Sequence, residues 1–170
     1  MGDIDERVVR AVNQQRFLPT EALVQNDPMS KLISEYEQSQ SFQDRELLDL
    51  IRSIQRNGPE RCSKAPKFAA QLLTHRTTSI RKAAFAVCLT ILANPQSPRR
   101  VLLDAYRVAL CHSNYQISQY AISLLPQFVD ACPEEANNLI KFGSLAYNRL
   151  PAPSTDVEMS ISRAFTKALQ

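Results

Sequence analysis

An internal repeat limits the folds open to this chain more than any single motif in it. His75 and His112 lie 37 positions apart, and the same offset carries Ile80 onto Ile117, Ala84 onto Ala121, Val87 onto Leu124 and Ile91 onto Phe128. Those apolar positions follow the i, i+4, i+7, i+11 spacing of one stripe along an α-helix. A second apolar run stands before each histidine, Phe68 to Leu73 in one copy and Ala105 to Leu110 in the other, so the repeating unit is a pair of helices. A third copy follows Pro133, with Leu139, Ile140, Phe142, Leu145 and Ala146 on its first helix and Val157, Ile161 and Phe165 on its second.

The punctuation between these runs also belongs to helices. Glycine occurs only 3 times, and the single Asn-Gly pair, Asn57-Gly58, runs into Pro59, which suits a helix end followed by a helix start better than a hairpin. Breaks at Asn57-Gly58-Pro59, Thr77-Thr78, Asn94 to Pro98, Ser113-Asn114, Cys132-Pro133 and Pro151 to Ser154 predict helices near 43–56, 60–74, 78–93, 98–111, 115–130, 134–148 and 156–169. The expected fold is therefore all-α, built of HEAT/armadillo-like helical-hairpin repeats as an α-solenoid end-piece over residues 42–170. Ala83, Ala84 and Ala121 supply the short side chains that close helix crossings need. Residues 1–41 are less regular and read as a partly ordered helical lead-in or cap. Ile4, Val8, Val9 and Val12 form one apolar set, Pro19-Thr20-Glu21 and Asp27-Pro28 suggest helix starts, Leu32, Ile33 and Tyr36 make an apolar patch, and Ser39-Gln40-Ser41 is a polar linker.

Charge and apolar content exclude several function classes. The net charge of +3, from 20 Lys+Arg and 17 Asp+Glu, is too small to indicate nucleic-acid or membrane-surface binding by itself. The longest apolar stretch, Ala83 to Ala93, is broken by Thr90 and falls short of the roughly 20 residues a bilayer crossing needs. The acidic start, Met1 to Glu6, lacks the basic and apolar segments of a secretory signal, so export is not expected. Cys62, Cys88, Cys111 and Cys132 are widely spaced, which points to reduced thiols in a nuclear or cytosolic protein.

The search for catalytic chemistry is mostly negative. No phosphate-cradling Gly-rich loop, Gly-x-Ser-x-Gly elbow or His-Glu-x-x-His motif is present. Cys111-His112 is the sharpest metal-site candidate, but neighbours on a helix point about 100° apart and no Cys-x-x-Cys pair accompanies it. Two histidines filling the same helix-end position in successive repeats is the better reading, and no metal, cofactor or catalytic residue is expected. Asp44, Glu46 and Asp49 sit early in a helix, where they complement its dipole. Two surfaces remain as binding candidates. Opposite the apolar stripe stand Thr78, Lys82 and Leu89, with Tyr115, Gln119 and Pro126 at the equivalent offset, a ladder suited to a protein partner. The alternative is an RNA- or DNA-binding face made of Arg76, Arg81, Arg99, Arg100 and Arg107, although no aromatic residues interleave with these arginines.

The order of Leu47 to Ile54, Pro66-Lys67-Phe68-Ala69, Arg81 to Phe85 and Ala121 to Pro126, closed by a helix from Val157 to Leu169, resembles the C-terminal HEAT-like region of the Integrator complex subunit 1 family, the largest subunit of that complex. The resemblance spans residues 43–170 and rests on order and spacing. It implies a non-catalytic scaffold in a nuclear assembly that associates with RNA polymerase II, processes small nuclear RNA 3′ ends, attenuates transcription and carries a phosphatase. The nuclease and phosphatase chemistry belongs to other subunits of that assembly. It also implies that the partners are other protein subunits, rather than nucleic acid, a membrane or a small-molecule substrate, and that the chain is a piece of a larger protein.

Overall fold

The computed structural model describes residues 3–16, 27–39 and 42–169, and among them the chain is all-helical, with no strand. The α-helices are α1 (Asp3–Arg16), α2 (Pro28–Ser39), α3 (Asp44–Asn57), α4 (Ala65–Leu72), α5 (Thr78–Leu92), α6 (Arg100–Leu110), α7 (Tyr115–Ser123), α8 (Leu125–Ala131), α9 (Ala136–Arg149) and α10 (Thr155–Ala168). Single 3₁₀ turns, Pro59–Arg61 and Pro133–Glu135, occupy the starts of the helices expected near 60–74 and 134–148. Gly58 ends α3 with φ of 98°, a conformation only glycine adopts without strain, and Pro59 opens the next turn. The side chain of Ile4 and residues 19–21, 40 and 41 lie outside the described residues.

Contacts divide the chain into two compact units, Met1–Ile91 and Leu92–Gln170. In the first unit α1 packs on α2 and α3. Val8 and Ala11 are buried there, while Val9, expected in the same apolar set, is exposed because it lies about 100° round the helix from Val8. Leu32 and Ile33 of α2 are buried, and Tyr36 meets the Phe68 ring edge-on at 5.9 Å. Helix α3 runs parallel to α5: Thr77 donates to the Asp44 carboxylate near their N-terminal ends, and Gln55 Nε2 donates to Thr90 Oγ1 at 2.8 Å towards their C-terminal ends.

In the second unit the contacts keep the sequence offset. Ser160 Oγ donates to the Ser123 carbonyl, Lys167 pairs with Asp130, and Arg149 donates to the His112 carbonyl, each across 37 residues. Helix α10 therefore lies parallel to α7 and α8, and α9 packs on α6. The expected stripe is buried at Ile80, Ala84, Val87 and Ile91 in one unit and at Ile117, Ala121 and Phe128 in the other. Leu124 is only half-buried, because the helix expected over 115–130 breaks there. Pro126 has no N–H to continue the ladder, so α7 ends at Ser123 and α8 restarts at Leu125.

The third copy keeps part of its expected stripe: Leu139, Ile140, Ala146 and Val157 are buried, whereas Leu145 and Phe165 are exposed and Gly143, Ser160 and Ala164 take core positions. Apolar periodicity misses Ser160 because it is polar. Its hydroxyl is satisfied by the carbonyls of Ser123 and Asp156, so it can be buried without loss.

Candidate docking groove

Three of the five arginines of the predicted basic face are engaged within the chain. Arg81 is 5% exposed, and its guanidinium donates to the carbonyls of His75 and Arg76 and to Thr78 Oγ1. Arg99 donates to the carbonyls of Leu92 and Ala131 and to Cys132 Sγ, and pairs with Glu134 at 3.3 Å. Arg107 reaches Asp104, Glu135 and Asn138, with its guanidinium over the Phe142 ring. These three side chains bind helix ends and acidic neighbours, leaving little of them for phosphates. Only Arg76 and Arg100 of the set are strongly exposed, at 85% and 96%, and they lie in different units.

The residues of the predicted protein-facing ladder differ in exposure. Thr78, Lys82 and Tyr115 are exposed, Leu89 and Gln119 are half-buried, and Pro126 is buried. Pro126 cannot serve as a contact residue, because the break before α8 turns its ring into the core.

Lys82 opens onto a feature that the repeat pattern alone does not reveal. A groove of about 700 Å³ runs between α3 and α5, lined by Asp49, Ile51, Arg52, Gln55 and Arg56 on one side and Ser79, Lys82, Ala83 and Ala86 on the other. Two physical causes open it. Ala83 and Ala86 are too short to fill the space between parallel helices, and the hydrogen bond from Gln55 to Thr90 ties the helices at one end. The walls carry three cations, Arg52, Arg56 and Lys82, against the single carboxylate of Asp49. Arg56 also lines a smaller cavity of about 280 Å³ between α1 and α3, with an apolar wall of Val8, Val9 and Val12. The signal available in sequence was the i, i+4 pair Arg52 and Arg56 on one face of α3.

The Thr77 hydroxyl donates to the Asp44 carboxylate and not to His75. His75 Nδ1 accepts the Thr77 amide at 3.0 Å, which places its proton on Nε2, 3.9 Å from Asp44. Burial lowers the His75 pKa, the nearby Asp44 charge opposing that shift; the Thr77 hydrogen bond holds Asp44 below its ordinary value. His112 repeats the turn, with Nδ1 accepting the Asn114 amide at 3.0 Å. Burial pushes the Cys62 thiol up to about 12 and raises Cys88 and Cys132 as well, the opposite of an activated thiolate. Asp27, fully buried, accepts from the amide and hydroxyl of both Ser30 and Ser63, capping α2 and tying it to the turn before α4. Among the described residues no three His, Cys, Asp or Glu side chains gather as a metal site, and no helix is long and apolar enough to cross a membrane. No protein-family model, curated protein or solved structure matches the chain.

Proposed function

We propose that the chain is a non-catalytic scaffold module that docks another protein subunit, and that its helix pairs form a HEAT-like α-solenoid end-piece. The groove between α3 and α5 carries this reading. Its basic walls and small-residue floor suit an acidic segment of a partner, with carboxylates set against Arg52 and Arg56 and aliphatic side chains over Ala83 and Ala86. The resemblance to the Integrator complex subunit 1 family makes that partner another subunit of a nuclear, RNA polymerase II-associated assembly. The commitment of Arg81, Arg99 and Arg107 to intramolecular partners weighs against the nucleic-acid alternative.

Recovery of Integrator subunits from nuclear extract on the immobilised chain tests the proposal. The double variant Arg52→Glu with Arg56→Glu, shown folded by circular dichroism, is expected to lose them. A pair of exposed changes away from the groove, Arg100→Glu with Lys141→Glu, is expected to retain them. Equal recovery by both variants would remove the groove from the reading, and steep loss of RNA binding with rising salt in the wild-type chain would favour the alternative.

A further inference from the structure

Ser97-Pro98 is the one Ser-Pro or Thr-Pro pair in the sequence, and Arg99 and Arg100 follow it directly. Proline after a phosphorylatable hydroxyl removes a backbone N–H, so a kinase whose pocket offers that N–H no acceptor selects Ser-Pro over other pairs. A basic residue three positions after the hydroxyl adds a charge contact of the kind that fixes register. Here that residue is Arg100, whose side chain is 96% exposed and whose ion pair with Asp104 is long, at 3.9 Å. Arg99, two positions after the hydroxyl, is turned inward onto the Leu92 and Ala131 carbonyls and contributes no such contact.

The local structure presents the hydroxyl. Ala93, Asn94, Pro95, Gln96 and Pro98 are exposed and Ser97 itself is half-buried, in a segment without regular structure. Ser97 Oγ donates to the Asn94 carbonyl at 2.6 Å in a solvent-exposed hydrogen bond, which water can replace at little cost. A kinase needs the chain extended beyond the hydroxyl, and this requires the first turn of α6 to open. That opening meets no side-chain cap, since Arg99 before α6 provides none and the first turn has no acidic residue, but it must release the Arg99 guanidinium from the Leu92 and Ala131 carbonyls. By contrast, α7 and α10 are capped by Asn114 and Ser154.

We propose that Ser97 is a phosphorylation site for a proline-directed Ser/Thr kinase, and that the phosphate orders the start of α6. In the transfer Ser97 Oγ bonds to the γ-phosphorus of ATP and the bond from that phosphorus to the β,γ-bridging oxygen breaks. ADP leaves with the electron pair, and the hydroxyl proton passes to the catalytic carboxylate of the kinase. The added charge stands just before the positive end of α6 and beside Arg100, where it supplies the anion that this helix start lacks.

The test is incubation of the purified full chain with a proline-directed Ser/Thr kinase and ATP, read by intact and fragment mass spectrometry. One phosphate per chain on Ser97 is expected, none in Ser97→Ala or Pro98→Ala, and a several-fold slower reaction in Arg100→Ala. A synthetic peptide spanning 92–106 is the unfolded control. Labelling of the peptide but not of the native chain would show the site closed by the fold and overturn the proposal, as would failure to label either. Amide exchange over residues 100–103 is expected to slow after phosphorylation; an unchanged rate would overturn the ordering effect.

Discussion

Helix α5 and the pair α7 and α8 occupy the same place in the 37-residue pattern, yet they reach a packed state by different routes. Helix α5 runs unbroken from Thr78 to Leu92 and buries aliphatic and small side chains, Ile80, Ala84, Val87 and Ile91. Its counterpart breaks at Leu124, because Pro126 stands where α5 has Leu89. An aromatic pair then occupies the core beside the break: Tyr106 stacks on Phe128 with ring centroids 3.6 Å apart, and its phenol donates to the Ala121 carbonyl at 2.7 Å. The positions matching these two rings in the other copy are Ala69 and Ile91. A repeat thus fixes which face of a helix is buried, while the means of filling that face varies from copy to copy.

Truncation of the stacked pair is the severest way to break this comparison. Phe128→Ala should cost about 3–5 kcal/mol in denaturant melts, whereas Ile91→Val at the matching position should cost about 0.5–1.5 kcal/mol. Equal losses would mean that the two copies share one packing scheme. Proline exchange comes next. Leu89→Pro removes an N–H from the interior of a continuous helix and should cost about 3 kcal/mol or more, while Gln127→Ala, exposed on α8, should stay within about 0.5 kcal/mol. A tolerated Leu89→Pro would show that α5 can accept the break its counterpart has.

The pair Arg81 and Ser118 sharpens the comparison on a smaller scale. Both stand at the same offset and both reach back to carbonyls on the preceding segment, Arg81 to those of His75 and Arg76 in the turn after α4, and Ser118 to that of Leu110 at the end of α6 at 2.6 Å. Arg81→Leu, which leaves two carbonyls without a charged donor, should cost about 2–3 kcal/mol, and Ser118→Ala about 1 kcal/mol. Chemical denaturation of the two variants side by side is the check. The smallest effect belongs to His75. Its folded pKa lies below 6.5, so the unfolded chain takes up the proton first. Its contribution is complete above pH 6.5 and declines as pH falls through the folded value, and protonation also removes the Nδ1 acceptor for the Thr77 amide. Melts between pH 7 and 5 should therefore show a shallow loss of stability that His75→Asn reduces.

Helical class, most helix bounds and the buried stripes of α5 and α7 were legible because each depends on the chain's near neighbours. Proline lacks an N–H, glycine accepts positive φ at Gly58, and apolar residues three or four apart share a face. The phase of α10 was not legible, since it turns on Ser160, whose burial depends on the Ser123 carbonyl 37 residues away. Val9 and Pro126 were misplaced for related reasons: a stripe drawn too wide in one case, and a helix restarted in a new phase in the other.

The candidate sites divide along the same line. Arg76, Arg81, Arg99, Arg100 and Arg107 look alike in sequence, and a long guanidinium can either reach into solvent or fold back onto a carbonyl. Only the packed structure decided that Arg81, Arg99 and Arg107 fold back, Arg81 onto carbonyls of the turn before its own helix, and Arg99 and Arg107 onto a carbonyl and a carboxylate 32 and 28 residues away. The groove between α3 and α5 is likewise a product of tertiary structure, being the space left where Ala83 and Ala86 face Arg52 and Arg56 across two parallel helices. The sequence by itself determined that the chain is helical, where its helices stop and which faces two of them bury, since backbone geometry and local period act over a few residues. Which polar groups are spent on holding helices together, and which stay exposed, was decided by tertiary contacts, such as those of Arg99 with Ala131 and Cys132 across 32 and 33 residues.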